Sequence, residues 1–146
     1  MAAAVEWLYS GQQDRAVLAD LRKLLRDDPE VDAYRYVYRF APKSRQETDD
    51  VALLFSLFGL HPMVGSTSLA GLLRGLQARG GGAERRFRAL LDADREDLAQ
   101  HLQSVMTLVK RTGVGVNYRD LFATIRGWKS PGRSMQKNWA RIFWTP

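Results

Sequence analysis

The 146 residues contain no cysteine. Disulfides and thiolate metal sites are therefore excluded, and the fold rests on packing alone. Histidine is nearly absent too: only His61 and His101 occur, far apart in the chain and without metal-ligand spacing around either. His61 precedes Pro62 and reads as a turn residue, and His101 reads as a helix-surface or boundary residue. No apolar run approaches the roughly 20 residues that a membrane helix needs. The N-terminal M-A-A-A-V-E-W-L-Y-S has no basic n-region and carries Glu6, so it does not read as a signal peptide. A cytoplasmic protein with no membrane partner is expected. Phosphate loops, nucleophile elbows, H-E-x-x-H helices and EF-hand loops are missing as well. The cluster D-A-D-R-E-D brings Asp92, Asp94, Glu96 and Asp97 together where a helix begins. Acidic residues in a first turn ordinarily complement the helix dipole, so no two-metal site is expected there. The expectation is a protein that is not an enzyme, with no cofactor, no metal and no small-molecule substrate.

The most informative shortage is of carboxylates at one end. Residues 1–109 hold 14 basic and 15 acidic side chains, a net of −1. Residues 110–146 hold Lys110, Arg111, Arg119, Arg126, Lys129, Arg133, Lys137 and Arg141 against Asp120 alone, a net of +7. Such asymmetry is an electrostatic footprint for a polyanion, either nucleic acid or an anionic surface.

Apolar residues make up 45% and charged residues 26% of the chain, the profile of a soluble globular protein. A chain of this length buries roughly 68–70% of its unfolded surface and needs no staple. Helical periodicity dominates. Asp14 is a candidate N-cap for a helix with the stripe Leu18, Leu21, Leu24, Leu25. D-D-P-E opens another, with Asp28 as N-cap and Pro29 in the first turn. In D-A-Y-R-Y-V-Y-R-F, residues 32–40, Tyr34, Tyr36, Tyr38 and Phe40 alternate with period two, while Val31, Tyr34, Val37 and Tyr38 fit a helix. A lone strand would have no partner, so helix is expected.

Thr48 to Leu60 is apolar almost all round, the mark of a central core helix ended by His61-Pro62. Leu69, Leu72, Leu73 and Leu76 form the next stripe. After Gly80-Gly81-Gly82 come the short helix A-E-R-R-F-R-A-L-L and one that Asp94 can cap, with Leu98, Leu102, Val105 and Val109 inward. Asn117 then caps a helix burying Leu121, Phe122 and Ile125. The fold class is all-α, roughly eight or nine helices in two small packed lobes, residues 1–79 and 83–146, or one compact domain.

The terminal stretch S-P-G-R-S-M-Q-K-N-W-A-R-I-F-W carries positive charge only. As one helix it places Arg133, Lys137 and Arg141 on one face at about 6 Å intervals. Met135, Trp139, Ile142 and Phe143 would pack inward. A ladder of cations on a packed helix suits a phosphate backbone, which needs no base reading. Arg22 and Arg26 with Lys23 beside them, and Arg85, Arg86 and Arg88, repeat the theme. Trp128, Trp139 and Trp144 read as core or interface anchors rather than stacking platforms.

The order F-S-L-F-G-L-H-P, T-S-L-A-G-L-L, E-R-R-F-R-A-L-L-D-A-D-R-E-D-L-A-Q-H-L, Y-R-D-L-F-A-T-I-R-G-W and W-A-R-I-F-W resembles the CasB family, the small subunit of the type I-E CRISPR surveillance complex Cascade. The resemblance runs from about Trp7 to Phe143. It implies a non-enzymatic, all-helical subunit present as two copies beside the other Cascade subunits. Its basic surface would hold the backbones of target and displaced DNA strands once guide RNA has paired. The family's basic positions match Arg22, Lys23, Arg86, Arg95, Lys129 and Arg133. Gln103 stands where H-L-R is usual, with Lys110 or Arg111 as the nearest substitutes, and Ala70 replaces the glycine of S-L-G. Together with Arg26, Arg126, Lys137 and Arg141, these cations are the candidate nucleic-acid contacts. Two other classes fit a basic end: a helix-turn-helix regulator built on residues 117–144, and a protein-binding module with an acidic partner.

Overall fold

The structure is a computed structural model that describes residues 1–25, 31–80 and 82–146. Nine α-helices occur among them: α1 (Ala2–Tyr9), α2 (Arg15–Arg22), α3 (Arg35–Tyr38), α4 (Arg45–Leu60), α5 (Leu69–Gln77), α6 (Ala83–Asp92), α7 (Leu98–Lys110), α8 (Tyr118–Arg126) and α9 (Ser134–Trp144). The fold is all-α, as the periodicity predicts. Among the described residues the only extended pairing is an isolated parallel bridge between Val64 and Val116.

The centre is α4. Ser44, in extended conformation, accepts a bond from the Glu47 amide at 3.0 Å and starts the helix. Every residue from Asp50 to Gly59 is buried, the state expected of a helix apolar on all sides. Around it pack α2, α8, α7, α3 and α1, while α5 packs on α9, α6 and α7. One hydrophobic cluster runs from Ala4 to Phe143.

Local signals acted where they were strongest. Asp14 Oδ1 accepts from the Val17 amide at 2.9 Å, and Asn117 Oδ1 from the Asp120 amide at 3.0 Å, each cap contributing about 1 kcal/mol. The tyrosine-rich segment is helical: a 3-10 turn over Val31–Tyr34 leads into α3. Its alternating aromatics meet other aromatics instead of a neighbouring strand. Trp7 lies 5.2 Å from the Phe55 ring and 5.9 Å from the Phe40 ring. Asp94 behaves differently from expectation. Its side chain caps nothing, because a 3-10 turn over Arg95–Asp97 intervenes before α7, with the Asp97 amide bonded to the Asp94 carbonyl at 3.1 Å. The Asp28-Pro29 start and Arg26 lie outside the described residues, as does Gly81.

Two loops meet through glycine. The Gly65 amide donates to Val116 O and the Val116 amide to Met63 O, both at 2.9 Å. A Cβ on Gly115 would stand 2.3 Å from Val64 O, and one on Gly65 2.7 Å from Gly115 O, so a larger residue at either position forces the backbone to shift. This junction sets the entry to α8. Tyr9 completes it, its hydroxyl accepting from the Tyr118 amide at 3.1 Å and the Arg119 amide at 3.4 Å.

Candidate nucleic-acid interface

The basic C-terminal quarter is bolted to the core by its aromatics. Trp139 is fully buried, and its Nε1 donates to Asp120 Oδ2 at 3.2 Å. Trp128 is buried, and its Nε1 donates to Ala93 O at 2.8 Å. The two indoles meet edge to face, 6.3 Å apart. Phe143 stacks on Phe87 at 4.3 Å. Met135 and Ile142 are partly buried at the margins of the same face. Gln136 joins it too, donating through Nε2 to Trp128 O at 2.9 Å. The periodicity gave no sign of this buried amide. Trp144 is not a core residue, standing 42% exposed with its Nε1 on Glu84 Oε1 and the Arg88 guanidinium 5.5 Å above its ring.

With that face fixed, Lys137 and Arg141 point to solvent one turn apart. Arg141 Nη2 donates to Asn138 Oδ1 at 2.9 Å. The expected third rung is not on the helix. Pro131–Arg133 forms a 3-10 turn in which Gly132 and Arg133 are both left-handed, with φ of +72° and +54°. Helix α9 begins only at Ser134, and Arg133 folds back to donate to the Leu91 carbonyl at the end of α6. The proline and glycine make a tight turn where periodicity alone extends the helix. A left-handed non-glycine residue costs about 1–2 kcal/mol.

This turn gathers cations that are distant in sequence. Arg95, Lys129 and Arg133 line one cleft of about 220 Å³ against Trp128. Lys129 is exposed. Arg95 is not free: its side chain is only 12% exposed, and it is ion-paired with the buried Asp50. Elsewhere, Lys110 and Arg111 are exposed at the end of α7, where cations complement the helix dipole. Arg111 shares a cleft of about 210 Å³ with Arg79, a cation that sequence reasoning misses because it belongs to no stripe. Arg126 is exposed, its guanidinium 5.5 Å over the Phe122 ring.

The remaining candidates carry internal bonds. Arg22 Nη1 donates to Gly59 O at 3.1 Å, at the C-terminal end of α4. Lys23 pairs with Asp20 at 3.1 Å, and Arg86 Nη1 donates to Ser104 O at 3.3 Å. Arg119, the other basic residue of the tail, is paired with Glu6. Among the described residues, no carboxylate forms an ion pair with Lys110, Arg111, Arg126, Lys129, Arg133, Lys137 or Arg141.

Two surface carboxyls register their cations. Arg119 holds the Glu6 carboxyl below its ordinary value, first by its hydrogen bond and then by its charge. Asp20 is lowered chiefly by the Lys23 hydrogen bond, against a desolvation that raises it. Tyr118 is buried with its hydroxyl on the His61 carbonyl, and burial pushes its ionisation far up. It is a structural phenol. His61 is also internal, its Nε2 donating to Val114 O at 2.6 Å. Among the described residues no three histidine or carboxylate side chains converge as a metal site requires, and no helix is long and apolar enough to cross a membrane. A surface of unmatched guanidinium and ammonium groups suits phosphate oxygens, whose charge repeats regardless of sequence.

Comparison with known proteins places the fold and the family. Residues 17–144 match the family model described as CRISPR-associated protein Cse2. A curated protein of that name from Thermus thermophilus is 34% identical over 118 residues, covering 77% of this chain and 68% of the relative. The crystal structure of a Cse2-family protein from the same organism superposes with a TM-score of 0.85 at 27% identity, covering 99% of this chain and 97% of that one. CasB from Thermus thermophilus gives a TM-score of 0.82 at 28% identity over 99% and 97% of the two chains. M. ruber CasB shares the fold, with a TM-score of 0.77 at 24% identity over 97% and 90%.

Proposed function

The chain belongs to the CRISPR-associated Cse2 family, the CasB small subunit of Cascade, and from that premise we propose that it is a non-catalytic, backbone-binding subunit of the RNA-guided complex. Its exposed cations hold the sugar-phosphate chains of the target strand and the displaced strand, so that the opened duplex stays open. Exchanging a DNA duplex for an RNA–DNA heteroduplex is nearly balanced in free energy, so modest contacts along the backbone tip it. Base pairing with the guide supplies the sequence information, and the small subunit needs none of its own.

The observation that carries this reading is the set of exposed tail cations that have no carboxylate partner among the described residues, two of which, Lys137 and Arg141, are mounted on a helix that the buried Trp139 fixes in place. Of the candidates, Lys110, Arg111, Arg126, Lys129, Lys137 and Arg141 form the contact surface. Arg22, Lys23, Arg86 and Arg133, already bonded within the chain, contribute charge from fixed positions. A second copy of the chain, the other subunits and a guide RNA complete the assembly. The helix-turn-helix alternative fits less well. Seven residues with their own 3-10 turn separate α8 from α9, against about 3–4 in that motif.

Two measurements test the proposal. Purification under native conditions recovers a short guide RNA with the chain when the other subunits are present. Titration with unrelated single strands of equal length gives equal affinities that fall with salt at about −0.7 log units per phosphate contacted. Strong preference for one duplex sequence would favour a regulator instead.

A further inference from the structure

A cleft of about 480 Å³ opens between α4, the tyrosine-rich segment and the Arg95–Asp97 turn. That volume falls within the roughly 300–1,000 Å³ typical of small-ligand sites. Three features give it a direction. One wall carries the Tyr34 ring, partly buried and backed by Tyr38 at 6.0 Å between centroids. Leu24, Ala52 and Leu53 give it apolar lining. Lys129 and the ion-paired Arg95 line both this cleft and the smaller one that Arg133 lines. Asp49 and Glu96 also line it. Their charge disfavours a phosphate beside them, while carboxylates accept hydrogen bonds from the exocyclic amines of cytosine and adenine. The cleft therefore offers an aromatic side chain, apolar lining, two carboxylate acceptors for an amine and the cation Lys129.

We infer that this cleft takes up one unpaired, amine-bearing base of a bound polynucleotide, stacked on Tyr34, with the adjoining phosphate on Lys129 and the chain continuing toward Arg133. The inference rests on the proposed backbone-binding role and deepens it. The small subunit would hold a single base out of the stack while its other contacts remain blind to sequence.

The test compares a ten-residue oligodeoxycytidine with an abasic strand of the same phosphate count, titrated against the full chain at several salt concentrations. Stacking on an aromatic side chain predicts that wild type binds the cytidine strand about 5- to 150-fold more tightly. Tyr34→Leu should erase that preference and leave the salt slope unchanged, and Tyr34→Phe should retain it. Because Tyr34 also touches the core, irradiation of the wild-type complex with a 5-iodocytosine strand gives an independent reading, with Tyr34 as the expected cross-linked residue. Equal affinity for both strands with a normal salt slope overturns the base pocket and leaves the backbone role standing. A cross-link only at α9 overturns it likewise. Absence of salt-dependent binding to either strand overturns both.

Discussion

Arg95 reaches Asp50 with two nitrogens, Nη2 at 2.7 Å and Nε at 3.3 Å from Oδ1, across a pair that is almost fully withdrawn from solvent. The same carboxylate oxygen accepts from Gln46 Nε2 at 2.9 Å. The pair ties the central helix to the turn that launches α7. Removing one member leaves a buried charge without its partner, which costs about 3–5 kcal/mol. Arg95→Ala is therefore expected to lower the unfolding free energy by that order in a urea titration. The salt dependence of nucleic-acid binding should stay as in wild type, since this guanidinium is already occupied.

Glycine replacements should differ in sign. Gly115→Ala places a methyl 2.3 Å from Val64 O, where backbone must shift, and overpacking of this kind costs about 1–3 kcal/mol. Gly75 lies inside α5 with nothing within 4 Å of its added Cβ. Gly75→Ala should stabilise by about 0.5–1 kcal/mol, the helix-propensity difference. Thermal unfolding of the two variants beside wild type reads both directions.

Trp139 is the largest fully buried side chain among the described residues. Trp139→Ala should cost about 3–5 kcal/mol and loosen α9, so hydrogen exchange in residues 134–144 should rise before the rest of the chain responds. Lys137→Ala touches no core atom and should change stability by less than about 0.5 kcal/mol.

Much of this was legible in the sequence. The caps at Asp14 and Asn117, the Leu69–Leu76 stripe and the all-apolar run of α4 are local signals, and each produced its element, whereas the stripe Leu18, Leu21, Leu24, Leu25 is divided, α2 ending at Arg22 and Leu24 and Leu25 lying in a 3-10 turn over Lys23–Leu25. The clustering of cation and tryptophan at the end was visible as well, with Trp139 and Phe143 inward and Lys137 and Arg141 outward. What was hidden depends on distant pairs. Arg95 and Asp50 are 45 positions apart, and Tyr9 meets the start of α8 across 109. No periodicity reports such meetings. Arg133 was misplaced because a four-residue spacing assumes helix, whereas Pro131-Gly132 turns the chain into left-handed geometry first.

Acid should weaken the fold through Glu6 and Asp20. Both carboxyls are held lower in the folded chain than their ordinary values of 4.5 and 3.8. The unfolded chain thus binds protons first as pH falls, and the stabilisation present above pH 4.5 fades as pH drops through the folded values. Glu6→Gln should flatten the lower limb of a stability–pH curve, measured by thermal unfolding between neutral pH and the acid range. Both groups are at the surface, so added salt should shrink the effect.

The most direct measurement is the slope of log affinity against log salt for a single-stranded oligonucleotide, compared between wild type and Lys129→Ala/Lys137→Ala/Arg141→Ala. If each of the three meets a phosphate, the slope becomes shallower by about 2, while unfolding free energy barely changes. An identical slope in a folded triple variant would contradict the assignment of these cations to the polynucleotide backbone.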